Sequence, residues 1–400
     1  MENKKKPISR SVIVLGFVSF FTDISSEMIY PLLPVFLISV IGADPTTLGL
    51  IEGVAESVAS VFKLISGLWT DRMSVRKPLI VFGYSLSSLA RPLIGLCTSW
   101  GQILGLRFID RMGKGFRTTP RDALVSDVTP ENERGRAYGF HRAMDHWGAV
   151  TGPLISSALM LGLGLKIQNV FLLASIPAAL AVFTLVFFLK EKRKDISKAG
   201  ENKKDSPKKT KISLSAEWAK FPFSLKGFFA AVFVFYLGQS SDAFLLLRLK
   251  DVGVPESYLP ALWALLHIIK ATTSQYFGNL SDRLGHQKMI VFGWIYYAFI
   301  YLGFAYISSS SIQVLLFLIY GVYYGLVEAP EKALISKIAP PAMSGGAFGF
   351  YHLIVGVSSL PASLLFGWIW SRFGASAAFS FGAAVSIIAL LMLPKLKSQN

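Results

Sequence analysis

The chain has 400 residues, of which 52% are hydrophobic and 16% charged, and its mean hydropathy is +0.51; a soluble protein of this length is rarely so apolar. Its formal charge of +16 would suit nucleic acid, but the basic residues lie in tails and short loops between apolar runs, which excludes that partner. A single cysteine, Cys97, excludes an internal disulfide, and no Cys/His cluster has metal-ligand spacing, so neither a metal nor a cofactor is expected.

Crossing a bilayer takes about 20 predominantly apolar residues. Twelve such spans can be drawn, at approximately 11–40, 46–69, 77–97, 100–126, 136–160, 168–190, 223–248, 257–277, 288–307, 311–334, 345–370 and 374–394. The first follows the Lys4–Lys6 cluster, but no small-residue cleavage site follows it and it carries Asp23 and Glu27, so it is read as a retained span and not a signal peptide. Those two carboxylates are one helical turn apart near mid-depth, with Ser26 and Tyr30 close to the same face. The second span adds Glu52, Glu56 and Lys63 on a narrow arc, and the third has Arg91. In the fourth, Arg107, Asp110, Arg111, Lys114, Arg117 and Arg121 fall within about a third of the helix circumference. A stripe of that kind must face protein or water. Near its cytoplasmic end Arg117 and Arg121 are expected to snorkel toward lipid phosphates. The fifth span contributes Arg142, Asp145 and His146.

Residues 191–222 hold almost no apolar run and read as a cytoplasmic linker, ending in an interfacial segment around Trp218. The spans beyond it are poorer in charge: Asp242 in the seventh, His267 and Lys270 in the eighth, Glu328, Glu331 and Lys332 in the tenth, His352 in the eleventh. Trp263, Tyr296, Tyr297, Tyr320, Tyr323 and Tyr324 are expected to form an aromatic wall. GKG at 113–115 lacks the strand, the upstream Gly and the Lys-Ser/Thr ending of a phosphate-binding loop.

Residues 120–140, PRDALVSDVTPENERGRAYGF, recur without a gap as PEKALISKIAPPAMSGGAFGF at 330–350, with nine of twenty-one positions identical at an offset of 210. GLWTDRMSVRK from Gly67 matches GNLSDRLGHQK from Gly278 at an offset of 211. The chain is therefore a duplicated set of membrane helices, an arrangement that can rock around a central pathway. The expected organisation is a six-helix half at 1–190, the linker at 191–222, and a second six-helix half at 223–400. With both termini cytoplasmic, 25 of the 40 Lys and Arg lie in loops and tails on that side, against Lys166, Arg248, Lys250 and Arg372 opposite. This asymmetry orients a protein in the inner membrane.

On these motifs the chain resembles the major facilitator superfamily. Gly67, Asp71, Arg72, Arg76 and Lys77 are similar to the signature between its second and third helices, with Gly278, Asp282, Arg283 and Lys288 as a weaker copy. Gly139, Gly148, Gly152 and Pro153 fit the fifth-helix pattern G-x8-G-x3-G-P, which the family associates with proton-coupled exporters; Ser156 and Ser157 replace its usual last glycines, and Ala362 and Ser363 break it in the second half. The resemblance implies an all-α fold of twelve transmembrane helices in two parallel six-helix repeats. It also brings Asp71 near Gly345 and Gly346 at the start of the eleventh helix, where an aspartate beside unsatisfied helix amides can hold one transport state closed.

Function is expected as secondary active transport, a proton-coupled export of a small organic compound by alternating access, with no enzymatic step. The alternatives are a proton-linked uptake symporter for an organic anion and a non-transporting membrane solute receptor. Proton coupling is placed on Asp23, Glu27, Glu56 and Asp145, with Arg111 and Arg142 as counter-ions of the first pair. Substrate contacts are placed on Tyr30, Arg107, Asp110, Arg111, Lys114, Arg142, Asp242, Tyr320, Tyr324 and Glu328. Conformational gating falls to Gly67, Asp71, Arg72, Arg76, Lys77, Gly148, Gly152, Pro153, Asp282 and Arg283. The expected partners are a small-molecule substrate, protons or another coupling ion, and membrane lipids, with the protein acting as a monomer.

Overall fold

A computed structural model describes residues 8–70, 75–130, 134–191, 218–219, 221–340 and 344–394. Every regular element among them is helical. Asp71, Arg72 and most of the expected linker lie outside the described residues, and so does the contact inferred for Asp71.

Helix α1 (Arg10–Ile29) starts behind Ser9, whose Oγ accepts a hydrogen bond from the Val12 amide at 3.4 Å. Pro31 and Pro34 then withhold amide donors, and the rod tightens to a 3-10 turn at Tyr30–Leu32 before widening to a π turn at Phe36–Val40. Helix α2 (Pro45–Thr70) opens on proline, with Asp44 Oδ1 accepting from the Thr47 amide at 2.9 Å. There follow α3 (Lys77–Leu93) and α4 (Trp100–Asp127), the latter opened by a capping box between Ser99 and Gln102. Then come α5 (Arg134–Leu163), α6 (Ile167–Leu173) and α7 (Ser175–Phe188).

Beyond the linker, α8 (Phe223–Gly238) and α9 (Ala243–Asp251) flank a non-helical interruption at 239–242. They are followed by α10 (Leu259–Leu284), α11 (His286–Tyr306), α12 (Ser310–Ile338) and α13 (Ser344–Met392). The last is two rods joined at Gly374, whose φ of 84° is a conformation that glycine supplies readily. Among the described residues seven stretches are long and apolar enough to cross a membrane. The long helices α2, α4, α5 and α10 are not among them, because polar and charged side chains interrupt their apolar runs. Three of these four helices, α2, α4 and α5, carry most of the ionisable residues that the sequence places inside the spans.

The chain packs as two compact units: Met1–Leu33 with Val58–Lys204, and Pro34–Ser57 with Asp205–Asn400. In the first, α1 lies along α5 and α7, and α3 along α4. In the second, α8 and α11 lie along α13, while α10 and α11 pack on α12. Apolar burial cannot drive helices together in lipid, so close van der Waals fit at small residues has to. The duplication is visible in that fit. A Cβ at Gly115 would overlap Phe62 Cβ and stand 3.0 Å from the Lys63 amide, and one at Gly325 would meet the Thr273 carbonyl at 2.8 Å and the Ser274 amide at 3.0 Å. Gly83 sits equally close to Arg117, and Gly293 to Val327. These seats repeat with the offsets of 210 and 211 read from the sequence.

Candidate functional site

The site is organised by the seam between α1 and α5. A Cβ at Gly148 would lie 2.6 Å from the Phe20 carbonyl oxygen and 2.8 Å from Asp23 Cβ; one at Gly152 would lie 2.5 Å from the Ile24 carbonyl oxygen. One turn on, Ser156 Oγ donates to the Met28 carbonyl at 3.0 Å. Backbone thus meets backbone along three turns, which fixes where Asp23 stands.

From that seam Asp23, Glu27 and Tyr30 face a cavity of about 60 Å³ within the first unit. Its other walls are Arg91 of α3 and, from α4, Arg107, Asp110, Arg111, Lys114 and Arg117. Asp110 is buried at the centre of this group. Arg91 Nε reaches its Oδ1 at 2.7 Å, while Arg107 Nη1 and Arg111 Nε approach Oδ2 at 3.8 Å. Arg91 also donates to the Thr22 carbonyl at 3.1 Å, tying α3 to α1. The Arg107 guanidinium lies 6.0 Å from the Tyr30 ring centre.

Arg117 does not reach for lipid. It is 5% exposed, stands 4.5 Å from the centre of the Tyr84 ring and donates to Ser87 Oγ at 2.9 Å. Arg121 is paired with Asp122 at 2.9 Å and donates to Ser19 Oγ at 3.4 Å. The snorkelling expected of both is therefore corrected: nearby acceptors and an aromatic face hold them inside. Asp145 stands on the far side of Ser19, which donates to it, with His141 Nδ1 at 3.5 Å; it does not line the cavity. Arg142 is exposed and does not line it either. Glu56 is exposed and belongs to the second unit, whereas Glu52, one turn earlier, is buried and accepts from Ser241 Oγ at 3.3 Å.

In the second unit Asp242 accepts hydrogen bonds from the Tyr320 hydroxyl at 3.0 Å and from the Tyr324 hydroxyl. Lys270 Nζ lies 3.4 Å from the centre of the Tyr324 ring, and Glu328 pairs with Lys332 at 3.0 Å. The expected aromatic wall is mostly core. Tyr297, Tyr320 and Tyr323 are buried against one another, with ring centres 4.0 Å apart for Tyr297 and Tyr301 and 4.5 Å apart for Phe235 and Trp294. Tyr320 thus serves Asp242 and packing instead of presenting a face. The residue that sequence reasoning left out of any site here is Glu331. It is 0% exposed and accepts from the Tyr351 hydroxyl at 2.8 Å and the Tyr236 hydroxyl at 3.3 Å. It stands 210 residues after Arg121, and that reversal of charge was the available signal.

At one end of the first unit Arg76 forms an ion pair with Asp127, and Glu191 accepts from the Arg76 and Lys77 amides at the start of α3. Lys77 Nζ donates to the Val186 and Leu189 carbonyls at the end of α7, at 2.9 and 2.6 Å. Charges at helix ends are favourable in this sense. Gly67 faces Thr119, and a Cβ there would sit 3.3 Å away. Asp282 and Arg283 are exposed at the end of α10.

A family model for the Major Facilitator Superfamily matches residues 15–363. The chain belongs to the Major Facilitator Superfamily. It is an integral, multi-pass membrane transporter and not an enzyme. An uncharacterised MFS-type transporter of Methanocaldococcus jannaschii is 35% identical over 398 residues, covering 98% of this chain and 96% of that protein. The multi-drug resistance efflux pump PmrA of Streptococcus pneumoniae is 24% identical over 375 residues, covering 92% and 90% of the two chains. Among solved structures, the nucleoside transporter NupG superposes with a TM-score of 0.79 at 12% identity, over 96% of this chain and 98% of that one. At that identity the likeness is one of fold.

Proposed function

We propose that this transporter couples the export of a small organic compound to protons by alternating access, with the carboxylates of Asp23 and Glu27 as the coupling groups. The observation that carries this reading is their placement, one turn apart, on a cavity they share with Arg91, Arg107, Arg111, Lys114 and Arg117. A carboxylate so placed can alternate between a proton and a cationic partner. Export is supported by the efflux pump among the relatives and by the fit of Gly148, Gly152 and Pro153 to the exporter pattern. Residues 1–190 and 223–400 are the two halves that rock, and the excess of Lys and Arg in tails and loops supports a cytoplasmic side of the inner membrane for both termini and the linker. Asp71, Arg76 and Lys77 would serve the closed state on that side. Uptake of an organic anion with protons is the second reading, favoured by the same five cations around the cavity.

The test is flux in proteoliposomes with and without an imposed pH gradient, comparing wild type with Asp23→Asn, Glu27→Gln and the double variant. The expected result is loss of gradient-driven accumulation with downhill exchange retained. Retention of gradient-driven transport in the double variant refutes the coupling role of these two residues.

A further inference from the structure

We infer that the cavity of the first unit receives an oxyanion group of the transported solute: a carboxylate, a phosphate or a sulfonate. The inference rests on the cavity belonging to a transport pathway and is independent of the direction of flux.

Size is the first argument. Pockets that enclose a whole drug-sized ligand run to about 300–1,000 Å³, whereas this cavity has about 60 Å³. It accommodates a group of a few atoms, so what it recognises is one end of a solute.

Charge is the second. Five cationic side chains line the cavity, Arg91, Arg107, Arg111, Lys114 and Arg117, against the carboxylates Asp23, Glu27 and Asp110. Two positive charges are left in excess even with every carboxylate ionised. Asp110 is the acid placed deepest among them, 2% exposed, and its one negative charge is shared by three guanidinium groups at 2.7 and 3.8 Å. Asp145, the next acid along the seam, is bound by Ser19 and His141 and does not line the cavity. Poorly solvated cations in excess are costly unless an anion joins them. A solute that brings the missing charge gains most by binding here.

Geometry is the third. A guanidinium offers a planar fork of donors that matches the two oxygens of a carboxylate or phosphate, and an ammonium adds a compact charge. Arg107, Arg111 and Lys114 follow one another at helical spacing on α4, so two forks and an ammonium converge on one space. Arg91 and Arg117 line the same space while bonding Asp110 at 2.7 Å and Ser87 at 2.9 Å.

The experiment uses the full-length protein in nanodiscs for titration calorimetry, and the same probes in proteoliposomes for flux. The probes are benzoate, phenyl phosphate and benzenesulfonate, matched to benzamide and benzylamine, with lysophosphatidate to separate a lipid headgroup from a soluble acid. At least one oxyanion should bind tenfold or more tightly than benzamide and benzylamine, and inorganic sulfate should displace it. Arg111→Gln and Lys114→Gln should each weaken that binding tenfold or more, and Lys114→Arg should restore it. The sulfate competition is read on wild type and decides the matter even where a variant does not fold. Failure of every oxyanion to bind, equal or tighter binding of benzamide or benzylamine, or acid binding untouched by sulfate would overturn the inference. Flux of benzamide or benzylamine alone would overturn it while leaving the transport reading intact. Acid binding with no flux of any probe would support it while removing that reading.

Discussion

Gly152→Ala is the sharpest probe of how α1 is held. The added Cβ would stand 2.5 Å from the Ile24 carbonyl oxygen and 3.0 Å from Ile24 Cα, where ordinary contact begins at 3.4 Å. To relieve the closer of the two, α1 and α5 must part by about 0.9 Å at this level, the difference between 3.4 and 2.5 Å. Overpacking of that kind costs about 1–3 kcal/mol, and alanine returns up to about 1 kcal/mol through helix propensity. The net loss expected is about 1–2 kcal/mol. Gly139 supplies the control, because it lies in the same helix and nothing stands within 4 Å of a Cβ built there; Gly139→Ala should therefore stabilise slightly. The assay is thermal unfolding in detergent by scanning fluorimetry, paired with gradient-driven flux in proteoliposomes. Gly152→Ala should melt several degrees below Gly139→Ala, and its flux should fall because Asp23 precedes Ile24 on the displaced strip of α1. If the two variants melt together and carry equal flux, the seam is looser than these contacts require and does not position Asp23.

Two further outcomes follow from other parts of the molecule. Burial of the Asp44 carboxyl favours its neutral form, but hydrogen bonds from the Thr47 hydroxyl and amide and from Thr46 and Ser371 outweigh it and hold the group below its usual range. Its contribution is therefore present above the unfolded value of about 4 and is lost as pH falls through the lower folded value. Asp44→Ala should cost about 1 kcal/mol at neutral pH, and its melting temperature should converge on that of wild type below pH of about 4; a gap that widens on acidification contradicts the assignment. At Glu331, whose carboxyl accepts from the Tyr351 and Tyr236 hydroxyls with no ion pair to it among the described residues, Glu331→Gln should stay within about 1 kcal/mol of wild type. Glu331→Lys should lose about 3 kcal/mol or more, as it would bury a cation in a fully buried site built around Tyr236 and Tyr351. Fluorescence-detected size exclusion reads both, and an aggregated Glu331→Gln would mean that the negative charge itself is needed.

Much of this was legible in the sequence wherever a pattern repeats. The offsets of 210 and 211 reappear as paired glycine seats, and the α4 stripe from Arg107 to Lys114 does converge on one cavity with Asp23 and Glu27. Isolated residues were harder to place. Arg91 is a single charge in the third span, with no periodic companion to mark it as the nearest partner of Asp110. Helical phase put Arg117 on the right face, but its fate depended on Tyr84 and Ser87 of another helix, which no local pattern announces. Arg142 and Glu56 lie within one turn of Asp145 and Glu52 on the same helix face, so helical phase alone could not tell the exposed residue from the more buried one. The tyrosines of the second unit were read as a wall because composition cannot separate a lining from a core. The interruption at 239–242 escaped notice since no proline marks it.

The paired glycine seats carry an evolutionary corollary. Gly83 with Gly293, and Gly115 with Gly325, hold the spacing between neighbouring helices in both copies, while the positions they frame have changed character: Arg111 against Gly321, Arg117 against Val327, Arg121 against Glu331. Where backbone helps to set the distance between two rods, as at Gly83, Gly115 and Gly325, the side chains around the contact are partly released from that task. An ancestral duplication could then let one copy keep its charges while the other filled with aromatic rings, without either losing its frame.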